Sequence, residues 1–246
     1  MLSQRGSGTG NWWKTDLFRK CFRIHNDILD FIFPRICLVS GEKISDGNSN
    51  PFVCDSVLDS LPVLPQFRKV ELASKLSADL CLSLYTLSAD CNMSRIIHAV
   101  KYRGFSKEGS LLGKLIGAEI MKQRIDLPDL LIPVPLHLRR LRERGYNQSM
   151  QICKGISEVT GVRIDGKLVV RCRYTQTQTK LGREERAENV MNAFCIQPER
   201  DKEISGRTIM IADDVITTGA TINEIAKLLR EKDCARIVAV SAAMAT

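Results

Sequence analysis

Ile209–Thr221 reads IMIADDVITTGAT. An apolar run ends on two adjacent carboxylates, Asp213 and Asp214. A turn of small residues follows, and then a helical pattern begins. That order predicts a buried strand over Thr208–Asp214, a tight bend, and a helix over Thr221–Lys232. Ligands of open α/β sheets bind at the C-terminal ends of strands. Gly219 and Ala220 leave backbone N–H groups unobstructed, and the helix start adds partial positive charge. Thr217, Thr218 and Thr221 add hydroxyl donors. The bend is therefore expected to cradle a monophosphate, with Asp213 and Asp214 set for the hydroxyls of the sugar carrying it. The plainer alternative is a strand end followed by a helix cap. Neither G-x-x-x-x-G-K-[ST] nor G-x-G-x-x-G occurs here, which excludes a Walker loop and a dinucleotide fingerprint.

Working outward, Leu130–Pro135 (LLIPVP) reads as a short apolar strand, and a helix is expected from about Asn147 to Val159. Further strands are expected near Leu168–Cys172, at Phe194–Ile196 and over Arg236–Met244, with a polar stretch over 174–189. Strands alternating with helices imply a parallel sheet covered on both faces. Upstream, residues 70–125 read as mostly helical with a break near Tyr102-Arg103-Gly104. Residues 37–67 read as loop or a small irregular module. Leu17, Cys21, Ile24, Ile28 and Phe31 recur at helical spacing until Pro34. The expected organisation is a flexible terminus over 1–15, an amino-terminal helical and irregular module over 16–91, and an α/β domain over 92–246.

The chain has 246 residues, 44% hydrophobic and 26% charged, which excludes general disorder. No apolar run approaches the roughly 18 residues that span a bilayer. The opening MLSQRGSGTG has no apolar core of a secretion signal. Nine cysteines at irregular spacing do not suggest a disulfide framework, so a reduced cytoplasmic protein is expected. Cys153, Cys172, Cys195 and Cys234 read as buried small hydrophobes. The net charge of +8 is concentrated: between His137 and Arg186, twelve Lys and Arg face five Asp and Glu. Nine of the twelve are Arg, the residue suited to bidentate phosphate contacts. Arg139, Arg140 and Arg144 crowd a helix start, where cations oppose the helix dipole unless an anion joins them.

Three ordered segments carry a family resemblance. Ile132–Gln148 reads IPVPLHLRRLRERGYNQ, Arg171–Phe194 reads RCRYTQTQTKLGREERAENVMNAF, and the third is the acidic bend itself. The first fits R-x-R-G-[FY]-N-Q at Arg142, Arg144, Gly145, Tyr146, Asn147 and Gln148. The second fits T-x-x-Q-x-x-L-x-x-x-x-R-x-x-N-[VL] at Thr175, Gln178, Leu181, Arg186, Asn189 and Val190. The stretch from about 92 to 246 resembles the ComF/GntX family, and the bend resembles the 5-phosphoribosyl-1-pyrophosphate (PRPP) motif of type I phosphoribosyltransferases.

The resemblance implies a type I phosphoribosyltransferase fold with a small amino-terminal module like a degenerate zinc finger. It implies PRPP with Mg²⁺ as ligand, and transfer of phosphoribosyl to or from a nitrogen acceptor. Asp213 and Asp214 would hold the ribose, Thr217, Thr218, Gly219, Ala220 and Thr221 the 5′-phosphate, and Arg139, Arg140 and Arg144 the pyrophosphate. Gln178, Lys180, Arg183 and Arg186 would sit on a loop closing over it. Lys101-Tyr102 would line the acceptor side, and His137 receives no catalytic role. The family's paired C-x-x-C knuckles are reduced here to Cys37 and Cys54, one cysteine each, so zinc is not expected. The alternative reading is a competence or DNA-uptake factor that binds single-stranded DNA with PRPP as regulatory ligand. The acceptor is not encoded legibly.

Overall fold

The computed structural model describes residues 34–48, 50–89, 91–102, 106–172 and 191–245. The expected flexible terminus, the helix over 11–33 and the polar stretch 174–189, with Gln178, Lys180, Arg183 and Arg186, lie outside the described residues. The chain divides into two compact units, Met1–Asp55 and Ser56–Thr246.

In the first unit, Ile36 bridges Lys43 across a tight bend, where Gly41 takes a φ of +75° that side-chain-bearing residues resist. Asn50 is buried because its Oδ1 accepts the amides of Phe52 and Val53, at 2.8 and 2.9 Å. Cys37 is buried too, and its sulfur accepts the amides of Ser40 and Cys54 at 3.5 and 3.4 Å. Burial pushes the Cys37 thiol up, but the Ser40 side chain and then the amides of Ser40 and Cys54 outweigh it and hold the thiol at about 7. Four ligands complete a structural zinc site. Among the described residues no cluster of three or more His, Cys, Asp or Glu forms around this pair or elsewhere.

The second unit contains α1 (Asp55–Asp59, whose first residue closes the preceding unit), α2 (Gln66–Lys75), β1 (Leu80–Leu87), α3 (Asn92–Tyr102) and α4 (Ser106–Lys122). There follow β2 (Leu130–Pro133), α5 (Leu138–Arg144), α6 (Gln148–Thr160), β3 (Val169–Arg171) and β4 (Phe194–Ile196). The chain ends with β5 (Thr208–Ile216), α7 (Ala220–Arg230) and β6 (Arg236–Ala245). The main sheet has the order β1-β6-β5-β2, and every neighbouring pair is parallel. β6 is buried over its whole interior and takes a central place, as an apolar run without alternation should.

One face of the sheet buries Leu130, Ile132, Ile209, Ile211, Ile237 and Ala239 against Leu72 and Leu76 of α2 and Ile222, Ile225 and Leu229 of α7. The alternate residues project to the other face, where α4 and α6 pack. These two helices cross at glycine. A Cβ on Gly113 would lie 2.1 Å from the Ile152 carbonyl oxygen, and one on Gly155 2.0 Å from that of Ser110.

β1 departs from the helical reading of 70–125. Leu80–Leu87 pairs with β6 from Leu80↔Val238 to Leu87↔Ala245, so the sheet begins before residue 92. Its outer edge is covered by the segment around Val63: the Leu64 amide donates to Leu84 O and the Thr86 amide to Pro62 O, at 2.8 and 2.7 Å. That cover leaves no long bare edge for a second chain to pair with.

β3 and β4 form a separate antiparallel ribbon, Val169↔Ile196 to Arg171↔Phe194. Here the cysteine reading needs correction. Cys153 and Cys234 are buried as expected, but Cys172 is exposed and is joined by a disulfide to half-buried Cys195. Antiparallel pairing of β3 and β4 brings two residues 23 apart in sequence to a Cα separation of 6.2 Å, within ordinary bridging reach.

Candidate functional site

β5 carries the acids to the C-terminal edge of the sheet and continues through them to Ile216. Asp214 is buried and Asp213 is half-buried. Asp213 Oδ1 accepts the Ser149 hydroxyl from the first turn of α6 and the Asp214 amide, both at 2.9 Å. Asp214 Oδ1 accepts the Val215 amide at 2.8 Å. Its Oδ2 receives no hydrogen bond, although the Lys101 ammonium lies 3.0 Å away. Lys101 therefore meets Asp214 as a charge lying off the hydrogen-bond axes, and Oδ2 keeps acceptor capacity. Burial, and then the charge of Asp214, push the Asp213 carboxyl up to about 7; Ser149, the Asp214 amide and Lys101 pull the other way.

Thr217–Thr221 close the bend. With Asp213, Val215, Ile216 and Ile222 they line a hollow of about 30 Å³. Gly219 is the residue before α7, with a φ of +81°, and offers no side chain to cap the helix. Thr218 Oγ1 takes the Ala220 amide at 3.4 Å, at the outer limit of a useful bond. The helix start thus presents its positive end to the hollow. Thr217 is exposed, and Thr218 and Thr221 are half-buried.

The arginine-rich segment after β2 is a short helix, α5, with no buried residue. His137 is its cap: Nδ1 accepts the Arg139 amide at 3.1 Å. Arg139 is exposed and pairs with Glu143 one turn on, at 3.2 Å. Arg144 donates to Gln148 Oε1 at 3.0 Å. Gly145 turns the chain with φ +78°, and Asn147 caps α6 by accepting the Ser149 amide at 3.0 Å. Asn147 also donates to Val134 O at 3.0 Å, and the Tyr146 hydroxyl donates to Val100 O on α3. Gly145, Tyr146 and Asn147 are therefore a joint that fixes α5, α6 and α3 to one another.

Of the three arginines expected at the pyrophosphate, Arg144 connects with the acid pair through this joint. Arg144 holds Gln148, and the next residue, Ser149, holds Asp213. Arg140 is half-buried, and its charge is felt by Arg171 of β3. Burial first, and then the charge of Arg140, lower the Arg171 pKa; its guanidinium stacks over Phe194, 5.4 Å from the ring centre. Sequence reasoning counted Arg171 only as charge and passed over Ser149. It did not foresee that the Lys101 ammonium reaches Asp214.

The phosphoribosyl transferase domain family matches residues 161–245, from after α6 through most of β6. The DNA utilization protein YhgH of Escherichia coli strain CFT073 is 38% identical over 149 residues, covering 59% of this chain and 64% of that protein. Competence protein F of Haemophilus influenzae is 39% identical over 108 residues, 44% of this chain and 47% of that protein. The matched stretches thus span about half to just under two thirds of the relatives' own lengths. A solved structure described as the allosteric regulatory enzyme of purine biosynthesis aligns with a TM-score of 0.39 and 18% identity, over 58% of this chain and 29% of that one. That likeness is too loose to carry residue roles.

Proposed function

We propose that this chain, which is similar to DNA utilization protein YhgH and competence protein F and matches the phosphoribosyl transferase domain family over residues 161–245, binds PRPP as its Mg²⁺ complex and transfers the phosphoribosyl group to or from a nitrogen acceptor, with pyrophosphate as leaving or entering group. The observation that carries this reading is the pairing of a buried carboxylate oxygen that receives no hydrogen bond, Asp214 Oδ2, with a side-chain-free helix start on the same bend.

In this reading the 5′-phosphate takes the amides and hydroxyls of Thr217, Thr218, Gly219, Ala220 and Thr221. Asp213 and Asp214 accept the ribose hydroxyls. The pyrophosphate lies toward Arg140 and Arg144, with Arg139 at the rim, and Gln178, Lys180, Arg183 and Arg186 are assigned to it from the segment between β3 and β4. Mg²⁺, when bound with the diphosphate, would supply part of the positive charge that the leaving group requires. Fixed cations supply the rest, and exclusion of water protects the cationic ribose from hydrolysis. The test is pyrophosphate release from PRPP across a panel of nitrogenous acceptors. Release that requires Mg²⁺ and an acceptor supports the transfer, and saturable binding without release would reduce the protein to a sensor of PRPP.

A second reading draws on α5. Arg139 and Arg142 are exposed beside Leu138, itself 64% exposed, and one relative is named for DNA utilization. In that reading α5 contacts the backbone of single-stranded DNA. A labelled oligonucleotide should then bind at low salt and dissociate steeply as salt rises. Among the described residues no helix is long and apolar enough to cross a membrane.

A further inference from the structure

We infer that Lys101 is a positioning residue of the acid pair: as the counter-ion of Asp214, it settles that a proton taken up by the two carboxylates resides on Asp213. The inference rests on the reading of these acids as the sugar-binding pair, and it adds to that reading a residue from outside the bend.

The geometry is specific. Lys101 lies in the last turn of α3, where a cation is favoured by the helix dipole. Its ammonium is 3.0 Å from Asp214 Oδ2, with both side chains largely shielded, at 25% and 12% exposure. The residue before it is pinned, because the Tyr146 hydroxyl donates to Val100 O. The R-G-Y-N joint therefore fixes where the Lys101 backbone stands relative to β5.

The groups facing Asp213 make the asymmetry. From α6 come the Ser149 hydroxyl and the Cys153 thiol, which Asp213 helps to push upward after burial. From α3 comes Lys101, and from β5 Asp214. On β6 the residue in register is Ser241, which is uncharged. Lys101 pairs directly with Asp214 and acts on Asp213 only as the weakest of its influences. Two neighbouring carboxylates in a shielded place do not ionise independently. With the ammonium beside Asp214, the charge stays there and the proton goes to its neighbour. Asp214 then serves as an acceptor for one sugar hydroxyl, while Asp213 keeps one oxygen engaged by Ser149. A site with the proton exchanged between them would present a donor where the sugar needs an acceptor.

The test compares wild type with Lys101→Met, Lys101→Gln and Lys101→Arg, each first checked for an unchanged circular dichroism spectrum and cooperative melting. Carboxyl carbon NMR with labelled aspartate follows the titration of Asp213 and Asp214 without ligand, each assigned through its Asn variant. In Lys101→Met the Asp213 carboxyl should titrate higher, because loss of a nearby cation disfavours ionisation, and Lys101→Arg should restore it. PRPP–Mg²⁺ affinity in Lys101→Met should fall severalfold at pH 6.5 and less at pH 8.5. A role confined to packing would lower affinity equally at both values. An unmoved titration in Lys101→Met overturns the inference; should that variant not fold, Lys101→Gln carries the same comparison. Absence of PRPP binding by the wild type would sink the proposed function instead, and the ligand-free titration would still decide the role of Lys101.

Discussion

The Ser149 hydroxyl donates to Asp213 Oδ1 across 2.9 Å and ties the first turn of α6 to the end of β5. Asp213 is held above the ordinary carboxylate range, at about 7, mainly by burial. A carboxyl raised in the folded state binds its proton more tightly there than in the unfolded chain. It therefore costs stability progressively as pH rises from the ordinary range through about 7. Asp213→Asn should melt a few degrees above wild type at pH 8 and close to it at about pH 4. Parallel melting curves at the two values would contradict the assignment. Ser149→Ala removes a donor to the ionised form, so it should steepen the wild-type loss.

Asp165 has the opposite sign. Burial would raise it, but the Arg200 guanidinium and the amides of Lys167 and Leu168 outweigh burial and hold it low. Its contribution is present above the ordinary carboxylate range and is lost as pH falls through its folded value. Asp165→Asn should cost about 2–3 kcal/mol at pH 7, from hydrogen bonds to a charged group, and the difference should shrink below about pH 4. Urea unfolding at both values measures this.

The α4–α6 crossing predicts a contrast between glycines. Gly155→Ala sets a methyl 2.0 Å from the Ser110 carbonyl oxygen, so the helices must separate, at about 1–3 kcal/mol or more. Gly161 has open space around it and only its φ of +74° to satisfy, so Gly161→Ala should cost about 1 kcal/mol. Denaturant midpoints that rank the two in reverse would argue against this helix register.

The Cys172–Cys195 bond predicts that a digest prepared without reductant yields one linked pair containing these residues. Cys172→Ser should destabilise the oxidised protein by about 2–4 kcal/mol and leave the reduced protein nearly unchanged. Linkage of either cysteine to a different partner would contradict the pairing of β3 with β4.

What the sequence made legible follows from how local each signal is. β5 was readable because its apolar run, two acids and small-residue bend are contiguous. α7 was readable because Ile222, Ile225, Ala226 and Leu229 repeat at helical spacing and are all buried. β1 was misread within a helical stretch: it lies at the sheet edge and is only partly buried, so its apolar signal is diluted. The alternation of Leu80, Leu82 and Leu84 was the clue available. Gly145, Tyr146 and Asn147 were visible as a motif, but their work as a joint depends on Val100 and Val134, 46 and 13 residues from their partners. The Lys101–Asp214 pair joins residues 113 apart, and no local pattern announces such a contact. The same holds for the disulfide, which exists because two strands pair.

The most direct measurement is calorimetric titration of the full chain with PRPP in Mg²⁺, beside Asp214→Asn with an intact melting transition. The account predicts saturable binding by wild type and at least a severalfold loss in the variant. Equal affinity in the two proteins, or no heat of binding in either, would contradict it.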